Sequence, residues 1–242
     1  LLEKTLSSFQ EKVFQNFDVN EVFINIDPFF VKDSKIFKKA NAEVDAERDK
    51  VEAIARKYFK EITVFRPQVA NFTAAEKRLW QHTKAECVLL LEDDWIALDE
   101  ITPDMVFQNF DDQVRSVIPL HVEKHVRGSQ KYFFPRLRKK WYHLKKSENR
   151  EKPYFSTSPS FWDGKFLRQC AELMDVNFDP EKQFYSGVNP KLEAYVKPFK
   201  AKFLRAADDG LLVQDIGRKW QKQSGIEKVI IESKSWWRTL KI

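Results

Sequence analysis

Glycine is scarce in this sequence, at six residues in 242, and cysteine is nearly absent, at two. Neither a CxxC pair nor an HExxH segment occurs, which argues against a structural zinc site and against zincin-type hydrolysis. Cys87 opens an apolar run and Cys170 falls on the apolar face of a helical pattern. Both read as buried free thiols of a reducing compartment. No apolar run approaches the ~20 residues of a membrane helix, and no signal-like segment opens the sequence, so the expectation is a cytoplasmic protein. No repeat with a solenoid or propeller period is present. What the chain holds in quantity is aromatic side chain, with 21 Phe and 7 Trp. That supplies one substantial core, and the reading is a single domain over 1–242 with halves at 1–110 and 111–242.

The net charge of +6 is unevenly placed. Lys124 to Lys152 carry eleven Lys/Arg and two Glu, a balance of +9, which leaves the rest of the chain at −3. One local basic surface follows, suited to an acceptor or to the anionic surface of a membrane on which the protein sits peripherally. Tyr132, Phe133, Phe134, Trp141 and Tyr142 interleave with these charges. Such interleaving also fits a non-enzymatic module for single-stranded nucleic acid, although nucleic acid would leave the acidic segments of the chain unexplained.

Apolar spacing predicts helices near 2–17 and 43–59, strands at 21–27, 61–65 and 87–94, and a helix from Thr73 to about His82 opened by a Thr73/Glu76 capping box. Helix and strand alternate, which predicts an α/β fold: a doubly wound mixed sheet flanked by helices. A helix comes first, so a strand before it is expected. The second half reads as a strand at 115–122, an aromatic and basic hairpin at 131–146 and a helix after Asp163. A short strand, a basic helix closed by Gly225 and a strand at 228–232 complete it.

Glu92, Asp93 and Asp94 end the apolar run of the third strand, and Asp27 ends the first. Ligands of open α/β sheets bind beyond such strand ends. Three adjacent carboxylates repel unless a proton or a cation resolves them. Hard divalent ions do so, and Mn²⁺ or Mg²⁺ typically keeps one or two carboxylates together with phosphate oxygens. The plainer role for these acids is to cap the strand and the following turn.

The segment VLLLEDDWIALDEITPDM resembles the metal-binding segment of GT-A fold glycosyltransferases, and the EDD form is similar to that of the N-acetylglucosaminyltransferase I type. The resemblance continues through the L-x-x-T-L-x-S-F pattern of the first helix, the strand ending in Asp27 and the helix before EDD. More loosely, STSPSFWDGKFL and DIGRKW look like acceptor-side and C-terminal pieces of small bacterial or viral members. It implies a GT-A fold with a nucleotide-sugar half (1–110) and an acceptor half (111–242). It implies Asp94 as a direct metal ligand, Glu92 and Asp93 near ribose, phosphate or metal-bound water, and Asp27 on a uracil N–H. Asp215 stands where a late residue completes the metal shell.

The activity so implied is transfer of a sugar from a nucleotide diphosphate sugar, with UDP expected, to a glycan or glycolipid. Inversion at the anomeric carbon is expected. Arg218, at the start of a helix, is a candidate diphosphate contact. An inverting transfer needs a carboxylate base on the acceptor side. Glu193 is preferred, in an irregular loop region. Asp163 also reads as a helix N-cap and Asp179 as a turn residue. Trp162, in a Ser/Pro-rich loop, is a candidate platform for an acceptor sugar. A nucleotidyltransferase on a similar fold is the competing enzyme, but it would need a Gly-rich loop that this composition hardly supplies.

Overall fold

The computed structural model describes residues 1–28, 31–32, 41–121, 155–206, 210–231 and 234–239. The expected hairpin at 131–146 and the basic segment 124–152 lie outside them. The chain is a mixed α/β structure. Its first half comprises α1 (Leu2–Lys12), β1 (Phe23–Asn25), β2 (Val31–Lys32), α2 (Asn41–Ala55), β3 (Thr63–Phe65), α3 (Phe72–His82) and β4 (Cys87–Leu90). There follow β5 (Trp95–Ala97), α4 (Pro103–Phe107), β6 (Val114–Pro119), β7 (Ser160–Asp163), α5 (Gly164–Leu173), α6 (Pro190–Val196), β8 (Lys200–Leu204), β9 (Val213–Asp215), α7 (Gly217–Ser224), β10 (Ile226–Ile231) and β11 (Lys234–Thr239).

The central sheet runs β4-β7-β6-β8, with β6 and β8 parallel and β7 antiparallel to both of its neighbours. The apolar β4 therefore borders an antiparallel strand, and of its residues Leu90 is buried while Cys87, Val88 and Leu89 are half-buried. β1 and β3 form a separate parallel pair, β5 and β9 an antiparallel one, and β2-β11-β10 a third small sheet.

Alternation along the strands sends successive side chains to opposite faces. Trp162, Leu90 and Ile118 join Trp80 of α3 with Phe166 and Leu167 of α5 in one core. Phe161, Val117 and Val114 join Phe9 and Val13 of α1 with Trp95 and Val213 in a second. α1 and α3 thus cover opposite faces of the sheet.

Local chemistry sets the helix starts. Asn71, rather than Thr73, caps α3: its side-chain oxygen accepts from the Ala74 N–H at 2.8 Å. The Thr73 hydroxyl instead donates to the Phe178 carbonyl at 2.5 Å, and Glu76 is buried, so the expected box does not form. Asp163 caps α5 as its sequence context suggested, accepting from Phe166 N–H at 2.7 Å. Gly225 closes α7 with φ of +65°, a conformation that costs a side chain-bearing residue more than glycine. Both thiols are free, with Cys170 buried. Burial, then the nearby Asp163 carboxylate, pushes the Cys87 thiol up to about 11.

Trp162 is fully buried, stacks on Phe155 at 5.3 Å and donates its indole N–H to Ser160 Oγ at 2.7 Å. Its ring packs inside the protein, so it does not serve as the surface platform for a sugar that the sequence suggested. Trp162→Ala should lower unfolding free energy by about 3–5 kcal/mol, read from denaturant titrations, because it removes a large side chain from a packed core.

Candidate functional site

β4 delivers Leu91, Glu92, Asp93 and Asp94 to its carboxyl end, and α1 holds the backbone there. The Thr5 hydroxyl donates to the Asp93 carbonyl at 2.8 Å, Ser8 Oγ accepts from Ala97 N–H at 3.1 Å, and the Lys12 carbonyl accepts from Ile101 N–H at 3.0 Å. Glu92 is turned toward β5, where its Oε2 accepts from the Trp95 indole N–H at 3.2 Å.

Pairing of β5 with β9 sets Trp95 opposite Asp215, and Ile216 N–H donates to the Asp94 carbonyl at 2.8 Å. Two acids remote in sequence thus meet at the start of α7. The Asp94 carboxylate packs against Gly217, and a Cβ at that glycine would fall 2.0 Å from Asp94 Oδ2. Only glycine leaves room for the carboxylate at this helix start. Asp215 Oδ1 accepts from the N–H groups of Gly217 (2.8 Å) and Arg218 (3.3 Å), and its Oδ2 pairs with Arg218 Nε at 3.1 Å. Helix N–H groups and an arginine thereby offset charge at an otherwise repulsive spot. Arg218 is 89% exposed, so this ion pair is weak and exchangeable.

A cavity of about 1950 Å³ opens beside β4, and Asp27, Glu92, Asp93 and Asp94 all line it, together with Gly217 and Trp220. Asp27 accepts from Asn25 Nδ2 at 2.8 Å, and Arg78 donates in turn to Asn25 Oδ1. The structure therefore brings the acids of two strand ends to one space, and Gly217, between Asp215 and Arg218 in the chain, lines it too.

The three base candidates lie elsewhere. Asp163 pairs in register with Cys87, at the opposite end of β4 from Asp94, and is bound to Arg115 at 3.0 Å. Asp179 accepts from Lys182 N–H at 3.1 Å, beside the 3₁₀ turn Glu181–Phe184. Glu193, in the first turn of α6, accepts from Gly187 N–H at 2.8 Å. None of the three lines the cavity.

Two residues not singled out from the sequence stand near the site. His121 follows β6 and meets the Trp95 ring edge-on at 5.3 Å, and burial pushes its imidazole below the ordinary range. Glu181 Oε1 accepts from Ser156 Oγ (2.8 Å), Thr157 N–H (2.9 Å) and Thr157 Oγ1 (3.2 Å), fixing the chain that leads into β7. In the sequence, His121 and His125 are spaced as a ligand pair can be, but they fall at a strand end rather than on a helix and read as incidental, so only the meeting of β5 with the end of β6 gives His121 a place.

Among the described residues, no three His, Cys, Asp or Glu side chains converge closely enough to enclose a metal ion. The oxygen-only chemistry of Asp94 and Asp215 nevertheless suits a hard cation that takes its remaining ligands from phosphate and water. No protein-family model and no curated protein matches the chain. Among the described residues, no helix is long and apolar enough to cross a membrane.

Two measurements probe this geometry. Gly217→Ala should cost about 1–3 kcal/mol in denaturant titrations, because the new methyl group and Asp94 cannot share the space. For His121, the folded pKa lies below the reference of 6.5. The unfolded chain therefore takes up the proton first on acidification. This contribution to stability is complete above about pH 6.5 and is lost as pH falls through the folded value. His121→Phe, which keeps the ring and removes the titration, should lose less stability than the wild type between pH 7.5 and 5.

Proposed function

We propose that the chain is a metal-dependent glycosyltransferase of the GT-A type. It takes a nucleotide diphosphate sugar, with UDP the preferred carrier, and passes the sugar to a glycan or glycolipid. The observation that carries the reading is the acidic end of the cavity that runs along β4, where Asp27, Glu92, Asp93 and Asp94 gather beside the start of α7. Strand-end crevices of this kind hold nucleotides in open α/β sheets.

In this reading Asp94 and Asp215 hold Mn²⁺ or Mg²⁺. The ion, when bound, neutralises charge on the departing diphosphate. Asp27, positioned by Asn25, accepts from the base N–H, and Glu92 and Asp93 face ribose or metal-bound water. Arg218 can release Asp215 and swing to phosphate, since its side chain is almost wholly in solvent. The basic segment 124–152 meets the acceptor or an anionic membrane surface, and the protein works in the cytoplasm. A proton-accepting carboxylate completes the inverting chemistry. Glu193 and Asp179 remain the candidates for it, because Asp163 is engaged with Arg115 at the far end of β4.

Calorimetry of UDP binding with and without Mn²⁺ tests the proposal. Asp94→Ala should abolish the Mn²⁺-dependent part of the affinity while thermal stability holds, since removing one of three like charges relieves repulsion. Unchanged Mn²⁺-dependent binding in the variant would refute the metal assignment.

A further inference from the structure

The cavity beside β4 has the walls of a place for one more strand. β1 forms one side and β4 the other. Leu6 and Val13 close it from the α1 face of the sheet, and Leu79 and Trp80 from the α3 face. No residue of β3 lines it, so it lies on the side of β1 away from β3. β4 has its partner β7 on the other side. β1 and β4 are each terminal in their sheets, so among the described residues neither has a strand partner on its cavity side.

The two strands start together. Glu21, just before β1, accepts with one carboxylate oxygen from the N–H groups of Lys84 (2.8 Å) and Ala85 (3.3 Å), just before β4. Insertion of one strand needs two interstrand spacings, about 9.5 Å. An extended glutamate and one hydrogen bond can bridge a gap of that order. The helical crossover from β3 through α3 to β4 also marks β4 as running parallel to β3, and hence to β1.

We propose that this cavity is a strand-acceptor slot. It takes one extended, apolar polypeptide segment of about five residues, parallel to β1 and β4, and so joins β3-β1 to β4-β7-β6-β8 as one continuous sheet. The edges decide the occupant. Buried backbone N–H and C=O groups need partners, and only another extended backbone supplies both kinds to both edges at the spacing of a strand. A small apolar molecule fills volume and pairs with neither edge. The helix faces of the slot are mostly apolar, through Leu6 and Val13 on one and Ala75, Leu79 and Trp80 on the other, with Thr5 and Glu76 the polar exceptions near them, so the segment is mostly apolar at successive positions and not only at alternate ones. Its carboxyl end emerges beside Asp27, Glu92, Asp93 and Asp94. This inference stands on the cavity and the sheet edges and does not use the glycosyltransferase reading.

The probe is a peptide with a Val-Ile-Val-Ile-Val centre between two lysines. It is added free, and also joined ahead of Leu1 through a short Gly/Ser linker that raises its effective concentration. Amide exchange in Phe23–Asn25 and Cys87–Leu90 should slow by about tenfold or more, with a higher Tm. A second peptide with proline at its centre keeps apolar bulk but lacks the central N–H, and it should leave exchange near the level without peptide. The proposal fails if neither form of the first peptide slows exchange. It fails equally if the proline peptide or dodecanoate raises Tm as much without protecting the strand amides, which would mark an apolar ligand pocket. Protection that rises with protein concentration without peptide, alongside dimers in sedimentation, would assign the slot to a second copy and also overturn it.

Discussion

Phe161 and Trp162 are adjacent in sequence and belong to different cores. Their strand, β7, lies inside a sheet that is apolar on both faces, and that condition organises the molecule. A two-faced sheet needs helices or further strands on each side, which α1 with β5 and β9 supply on one and α3 with α5 supplies on the other. Along β4 and β7 it leaves no room for charge before the strand ends. Ionised side chains are therefore driven to the strand ends, where they meet water, helix termini or one another.

The two ends of β4 treat charge differently. At the Cys87 end, Asp163 is committed twice over, to the helix it caps and to Arg115. At the Glu92 end the negative groups outnumber the local cations, and they lie along open space. Structural pairing accounts for the first end. The second holds an excess of negative charge at an open cleft. Asp94 shows how closely sequence serves this end. It is admitted to the start of α7 only because residue 217 lacks a side chain, in a chain that has few glycines to use.

Much of this was legible in the sequence, for physical reasons that differ by residue. The 87–94 run announced itself because burial on both faces and an abrupt change to carboxylates are both local signals. Asp163 and Gly225 were legible as caps because capping depends on residues three or four positions away. The short strand before α7 was legible, but the register that sets Asp215 opposite Trp95, next to Asp94, needed β5, which at three residues carries no periodic pattern. β8 was passed over although Lys200 to Phe203 alternate polar and apolar, because the alternation lasts only four residues and closely follows α6. Trp162 misled because a Ser/Pro-rich approach suggested a surface loop. Those hydroxyls are instead buried and bonded to one another and to Glu181. The register of β7 against β4 could not be read from either strand alone, and that register decides at which end Asp163 falls.

α1 touches the 93–101 segment at three heights, through Thr5, Ser8 and Lys12, and the 3₁₀ turn after it adds a bond from Asn16 to the Ile101 carbonyl at 3.1 Å. These contacts climb one side of the helix at intervals of three or four residues, so helix and segment lie side by side like a splint along a limb. Mechanically, the splint and the acidic corner are one body. The Thr5 hydroxyl ties the first turns of the helix to the backbone of Asp93, so slack there becomes slack in the position of the carboxylates.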